Sequence, residues 1–343
     1  MGVSLSELVK GEPVSLADLS SKTFVVDAYN VLYQFLTTIR GPDGAPLSDK
    51  HGNTTSHLVG LFSRTTKLMR EGLRLVFVFD GKAPELKRKE QERRQKLKQD
   101  AQASYDAAKE SEDVEGMKKY AGRTSRLTRD MVDEAKELLS ALGIPTIQAP
   151  SEGEAQAAHM VYKGDAWALI SQDYDCLLFG TPRMVKNLSI TARRKKKGAY
   201  ATEGVEPELI TLQDVLQKLG ITRDQLIALG LLIGTDFNVG GIKGIGPKKG
   251  LKLVKAQEDV GKVFADVNWR EEFQSSWQEA FSLFKQMPVT DEYDLQWKGV
   301  DGDALHEILV GRHDFSAERV QKTVDQLAKH GQERAQRGLG DYF

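Results

Sequence analysis

Thr23-Phe24-Val25-Val26-Asp27 and Leu75-Val76-Phe77-Val78-Phe79-Asp80 share one plan, a short unbroken apolar run that ends on an aspartate. Runs of this length without polar alternation read as strands buried on both faces, which requires helices above and below the sheet. Trp167-Ala168-Leu169-Ile170-Ser171 repeats the plan and is followed by Asp173 and Asp175. Strands are expected near 23–28, 74–79, 144–148 and 166–171, interleaved with helices near 54–70, 128–142 and 153–163. This alternation predicts an α/β fold with a mostly parallel central sheet flanked by helices.

In such a sheet the carboxyl ends of the strands gather along one edge, where sites form. Asp27, Asp80, Glu152, Glu154, Asp173, Asp175 and Asp236 all stand where an apolar run ends or a helix begins, so the pattern points to one carboxylate-lined pocket. Like charges held together repel unless cations neutralise them, and oxygen donors without a Cys or His set favour Mg²⁺ or Mn²⁺ over zinc. Each acid taken singly also has a structural reading. Asp is common at strand ends, and Ser151-Glu152-Gly153-Glu154 fits a capping box with Ser151 as N-cap and Glu154 three residues on.

Composition narrows the field. At 343 residues with 40% hydrophobic content, the chain is long enough for a sizeable core in one large domain or two. The lone Cys176 excludes an internal disulfide framework and reads as a small buried residue, and the His residues form no zinc pattern. No stretch approaches the roughly 20 apolar residues that span a bilayer, so the chain reads as soluble and intracellular, with no membrane partner. Met1-Gly2-Val3-Ser4-Leu5-Ser6 matches the short myristoylation pattern, but nothing else in the sequence points to a membrane.

A net charge of −1 would not mark a nucleic-acid protein, but the distribution of charge does. Between Lys82 and Lys98 stand Lys82, Lys87, Arg88, Lys89, Arg93, Arg94, Lys96 and Lys98, against three glutamates. This is either a solvated helix face or a basic approach to the acidic edge. A helix leaving Asp80 would carry Lys87 and Arg94, seven residues apart, on one face toward the pocket. The segment 82–126 has few large apolar residues and reads as a helical arch or lid over the core. Residues 193–197, all Lys or Arg, read as a mobile basic loop, contacting DNA or merely solvated.

After Thr211 the pattern turns helical, with candidates at 211–219, 223–233, 247–256, 270–285 and 316–330. Between two of them lies Gly241-Ile242-Lys243-Gly244-Ile245-Gly246-Pro247-Lys248-Lys249-Gly250. This has the form of a helix-hairpin-helix, in which Gly244 and Gly246 permit a tight turn whose amides meet a phosphate and Lys248 and Lys249 add charge. An ordinary glycine-rich turn is the alternative. Asp236 lies just before it, which would tie a duplex held there to the acidic pocket.

The segments VVDAYNVLYQFL, TTSHLVGLFSRT, FVFDGKAPELKR, APSEGEAQAA, SQDYDCLLFG, LIGTDFN and GIKGIGPKKGLKLV, with the terminal QRGLGDYF, resemble the archaeal-type flap endonucleases of the structure-specific 5′ nuclease superfamily over nearly the whole length. The resemblance implies a nuclease domain over 1–330, with an N-terminal nuclease region (1–81), the arch (82–126), an internal nuclease region (127–238) and the hairpin with C-terminal helices (239–330). A clamp-binding tail would follow at 331–343. It implies that Asp80, Glu152 and Glu154 hold one Mg²⁺, with Asp27 assisting mostly through water, and that Asp173, Asp175 and Asp236 hold a second. Lys87 and Arg94 match residues that contact the scissile phosphate. Tyr33 matches an aromatic on which a terminal base stacks, although by spacing alone it is equally a core residue of the apolar segment Val31–Leu36.

The implied activity is two-metal hydrolysis of 5′ flaps in branched DNA, with 5′–3′ exonuclease activity, in replication and repair, leaving a 5′-phosphate and a 3′-hydroxyl. Mn²⁺ would be able to substitute for Mg²⁺, and the hairpin resembles those that bind K⁺ through backbone carbonyls. Gln336, Leu339, Tyr342 and Phe343 fit the box that docks on a sliding clamp; an incidental polar end is the alternative. The family further implies a monomer in the cytoplasm of an archaeal cell, associated with the nucleoid. Gly250 stands where many relatives carry Ala, which would loosen its helix slightly. Two other readings remain: a metal-dependent single-strand or RNA nuclease on the same core, and a non-catalytic scaffold for DNA and clamp.

Overall fold

In the computed structural model the apolar runs pair into one seven-stranded sheet in the order β1-β9-β6-β5-β2-β3-β4. The structure describes every residue except 1–2, 42–43, 112, 114, 117–119, 121–124, 189–193, 196–201, 204–205 and 341–343. Strands β2 (Thr23–Asp27), β3 (Arg74–Phe79), β4 (Thr146–Gln148), β5 (Ala168–Ile170) and β6 (Arg183–Lys186) run parallel, with β2 hydrogen-bonded to both β3 and β5. Strands β9 (Glu208–Thr211) and β1 (Glu12–Pro13) extend the sheet antiparallel at one edge. They are too short and too polar to stand out in the sequence, and the sheet rather than their own composition makes them strands. Outside this sheet, β7 (Arg194–Lys195) and β8 (Thr202–Glu203) form a small antiparallel ribbon. The stretch expected as a loop thus contributes Arg194 and Lys195 to that ribbon, while Arg193, Lys196 and Lys197 lie outside the described residues.

Successive side chains along the central strands feed two separate cores, as the two-residue period of a strand requires. Val25, Val76 and Val78 pack with Ala157, Met160, Leu226 and Leu229, from helices Gly153–Lys163 and Arg223–Ile233. Phe24, Val26, Leu75, Phe77 and Phe79 pack on the other face with Leu32, Leu61 and Leu138, from helices Ala28–Thr38, Ser56–Arg70 and Arg129–Ala141. Full burial of each such side chain contributes about 1.5–3 kcal/mol, and the doubly buried runs are the reason the sequence reads so plainly here.

The expected C-terminal helices keep their bounds with two differences, and three short helical segments, Val260–Ala265, Gly302–His306 and Glu307–Arg312, were not among those expected. The 270–285 candidate is split into Trp269–Glu272 and Trp277–Gln286, because Ser276 takes the N-cap position and its Oγ accepts from Glu279 N at 3.2 Å. The last helix runs from Ala317 to Gly340, through 331–335 and past the expected end at 330. Its sequence has no proline, and its Ala, Gln, Arg, Lys and Glu, all favourable in a helix, outweigh a cost of about 1 kcal/mol at each of Gly331 and Gly338. Segment 82–126, expected as a helical arch or lid, carries helix Arg88–Glu110 over about half its length.

The Gly-rich connection joins helices Arg223–Ile233 and Pro247–Ala256, with Gly244 at φ +78° and Pro247 in the first turn. Gly250 does more there than loosen a helix. A Cβ would lie 2.8 Å from Leu229 Cδ1, so glycine lets the two helices approach closely.

Candidate active site

The chain crosses the sheet outward from β2 to β4 and then returns to β5 on the other side, leaving a switch point between β2 and β5. Asp27 ends β2 and Asp173 follows β5, so the two straddle that point. Asn30 joins them: its Nδ2 donates to Asp173 Oδ2 at 2.6 Å and its backbone N to Asp27 Oδ1 at 3.0 Å. Asn30 was not singled out from sequence. Its only signal is the spacing of three from an N-cap aspartate.

Asp80 follows β3 and caps the neighbouring helix, its Oδ1 accepting from Gly153 N at 2.7 Å. This overturns the capping-box alternative for Ser151–Glu154. Glu152, not Ser151, occupies the N-cap and makes no side-chain cap bond. The Ser151 hydroxyl instead donates to the Lys82 carbonyl at 2.9 Å. Gly81 N also donates to Ser151 O at 2.6 Å, so the two loops are laced together and the carboxylates of Glu152 and Glu154 are left for the pocket. Asp175 is reached from the chain's beginning, where Val3 N donates to its Oδ1 at 2.8 Å. Asp236 sits on a buried turn in which Asn238 Oδ1 accepts from Thr235 Oγ1 at 2.8 Å and Asn238 Nδ2 donates to Leu231 O at 2.6 Å.

All seven acids therefore meet in one electrostatic environment. Burial, then the charges of Asp80 and Asp173, pushes Asp27 up to about 8. Burial, with Asp236 and Asp173, raises Asp175 to about 7 although the Val3 amide opposes it. Asp80 and Glu152 are raised chiefly by burial, and Glu154 well above its ordinary value by burial and then Asp175. Cys176 is buried as expected, and its thiol donates to Glu154 Oε1 at 3.5 Å.

Two cations enter this field from the expected positions. Lys87 ends a 3₁₀ turn, Glu85–Lys87, and Arg94 lies on the helix that follows. The Lys87 ammonium is ion-paired with Glu152 and stands 3.7 Å from Asp236 Oδ2. Arg94 Nη2 donates to Asp236 Oδ1 at 2.6 Å. Burial would favour a neutral Lys87 amine, but Glu152, Asp236 and Asp80 outweigh it and hold the ammonium form. Tyr33 is not a core residue. It is half-buried on helix Ala28–Thr38, with Lys98 Nζ 3.3 Å from its hydroxyl and 4.7 Å from the ring centre.

The donor set fits a hard divalent cation: oxygen ligands throughout, mutual repulsion, and lysine and arginine standing as the positive charges now present. Among the described residues, no three acids, histidines or cysteines are gathered closely enough to form a ready ion cage. Lys248 is exposed, 3.9 Å from Glu7 Oε2, and Lys249 Nζ donates to Gly244 O at 3.3 Å. Gln336 and Leu339 fall on the last helix, whereas Tyr342 and Phe343 lie outside the described residues. No helix among the described residues is long and apolar enough to cross a membrane.

The XPG N-terminal domain family matches residues 1–101 and the XPG I-region family residues 143–236, a span that ends on Asp236. The chain is 52% identical to flap endonuclease 1 of Aeropyrum pernix over 337 residues, covering 97% of this chain and 96% of that one. It is 47% identical to flap endonuclease 1 of Staphylothermus marinus, with both chains covered fully. Among solved structures, flap endonuclease-1 from Methanococcus jannaschii matches with a TM-score of 0.77 and 40% identity over 97% of this chain and all of that one. The catalytic core of Rad2 in complex with DNA substrate matches with a TM-score of 0.67 and 25% identity, over 95% of this chain and all of that one.

Proposed function

This chain belongs to the flap endonuclease 1 family and is a structure-specific flap endonuclease; from that premise we propose that it removes 5′ flaps from branched DNA by Mg²⁺-dependent hydrolysis at the Asp27–Asp236 pocket. The observation that carries this reading is that the seven carboxylates act on one another's charge, with Lys87 ion-paired to Glu152 and Arg94 to Asp236 among them. Asp80, Glu152 and Glu154, assisted by Asp27, would hold one ion, and Asp173, Asp175 and Asp236 a second. Bound there, the ions would supply Lewis-acid polarisation of the phosphodiester, activation of water and charge stabilisation of the leaving 3′ oxygen.

The protein's own groups orient the substrate. Lys87 and Arg94 present cations where the scissile phosphate would arrive, and charge developing on that phosphate strengthens both contacts. Their present carboxylate partners, Glu152 and Asp236, would turn to the ions. Asn30 and Gly153 N fix the rotamers of Asp173, Asp27 and Asp80, so little reorganisation accompanies reaction. Helix Arg88–Glu110 would serve as one side of an arch admitting a free 5′ end. Tyr33 beneath it would stack a base, and Gly244, Gly246, Lys248 and Lys249 would grip duplex backbone, with K⁺ held at the same hairpin. Residues 336–343 would dock on a sliding clamp. The enzyme would act as a monomer in lagging-strand maturation and repair, with 5′–3′ exonuclease activity beside the flap cleavage.

The decisive measurement compares cleavage of a double-flap DNA and a plain single strand, with and without Mg²⁺. Cleavage is expected only with the ion and far faster on the flap. Equal rates on both would favour a single-strand nuclease, and tight binding without cleavage would favour a scaffold. Asp173→Ala should abolish cleavage while flap binding survives, because it removes a ligand and also relieves repulsion toward phosphate. Full Mg²⁺-dependent turnover by that variant would refute the metal assignment.

A further inference from the structure

Glu90 stands apart from its own helix. Along Arg88–Glu110 most side chains are exposed, as a helix so rich in Lys, Arg, Gln and Glu should be, yet the Glu90 side chain is only 3% accessible. A buried carboxylate is retained only when its lone pairs are filled. Three guanidinium N–H groups fill them: Arg93 Nε at 2.7 Å on Oε2, and Arg93 Nη2 at 2.8 Å with Arg94 Nε at 2.5 Å on Oε1.

The division of Arg94 is the informative part. Its Nε edge is tied back to Glu90, while Nη2 at the far tip reaches Asp236 Oδ1 at 2.6 Å. A guanidinium is planar, so fixing Nε against a buried acceptor that Arg93 also holds sets the direction of the whole fork. Exposed pairs at this spacing contribute only a few tenths of a kcal/mol to a helix and would not orient anything across the pocket. We propose that Glu90 is a positioning residue, which holds the Arg94 guanidinium by its Nε so that the opposite N–H groups face the reacting phosphate. Asp236, which the Nη2 group now meets, is one of the acids assigned above to the ions that the phosphate would approach. The proposal rests on the flap-nuclease reading above and adds to it a residue that touches neither ion nor substrate.

The test is single-turnover cleavage of a double-flap DNA with saturating enzyme and Mg²⁺, in wild type, Glu90→Gln, Glu90→Ala, Arg94→Ala and the Glu90→Gln/Arg94→Ala double variant. Glu90→Gln keeps the shape and loses the charge, so it remains informative if the alanine variant fails to fold. Losing the anchor should slow cleavage by about 10- to 100-fold, the cost of a misplaced group, with flap Kd changed less than about twofold. In the Arg94→Ala background the Glu90 substitution should have no further effect, since nothing is left to orient. A Glu90→Gln rate equal to wild type overturns the proposal. So does a double variant slowed by the product of the two single losses, which is what a glutamate that merely supports the helix would give. An inactive wild type would instead overturn the flap-nuclease reading itself, and the first reaction of the series distinguishes that case.

Discussion

Asp27 serves two masters, and their demands differ with pH. As the N-cap of helix Ala28–Thr38 it accepts from Asn30 N, a role asparagine fills equally well. As a buried acid beside Asp80 and Asp173 it is raised to about 8, against about 3.9 in an unfolded chain. Between those values the folded protein keeps a proton that the unfolded chain releases, so stability falls as pH rises through this window and levels off above it. Asp27→Asn should therefore raise the melting temperature of the metal-free protein, most above pH 8 and least near pH 4. Melting curves in EDTA across that range would show it, and a constant offset between the two proteins would contradict it. Cleavage with Mg²⁺ should fall in the same variant, which is the usual exchange of stability for function at a charged site.

The junction between β3 and helix Gly153–Lys163 shows how closely backbone must approach to aim a carboxylate. A Cβ on Gly153 would lie 2.7 Å from Asp80 Oδ1, the same oxygen that accepts the Gly153 amide. Gly153→Ala should displace Asp80 and lower Mg²⁺-dependent cleavage by at least about tenfold. Gly299→Ala, where a methyl meets nothing within 4 Å, should leave the rate unchanged and serves as the control. Unaltered cleavage by Gly153→Ala would mean that Asp80 tolerates another rotamer. The sequence around 151–154 suggested a capping box because side-chain spacing is all a sequence displays. It could not show that Asp80, more than seventy residues away, already satisfies the first amide of that helix. Glu90 was hidden for the same reason: its spacing from Arg94 is visible, but its burial is not.

Segments far apart in the sequence are tied together by hydrogen bonds. The stretch 287–301 has no regular structure, yet Gln156 exchanges hydrogen bonds with Thr290 at 2.8 Å each way. Farther along it, Trp297 Nε1 donates to Leu75 O at 2.9 Å, and Lys298 N to Gly143 O at 2.9 Å. A relay of His57, Glu134, His313 and Asp49 joins the 49–57 segment, helix Arg129–Ala141 and His313, with contacts of 3.1 to 3.3 Å. None of the seven acids assigned to the ions, nor Lys87 or Arg94, lies within residues 336–343. Deleting them should leave flap cleavage by the isolated enzyme unchanged and remove its stimulation by the cognate sliding clamp, because a tether acts by raising local concentration. Clamp affinity that survives the deletion in calorimetry would place the contact on the folded body.

The parallel sheet, and the gathering of the seven acids with Lys87 and Arg94 beside them, were legible from sequence because they are local: apolar runs buried on both faces leave a continuous signal, and chain topology delivers their ends to one edge. Strands β1, β9 and β6 at one end of the sheet were not, since short, half-polar segments become strands only when a neighbour offers its hydrogen bonds. The partners Asn30, Val3 N and Gly153 N, and the burial of Glu90, were likewise decided in three dimensions. Which lone pair meets which donor depends on contacts between residues far apart in the chain, and no local pattern of residue types encodes that.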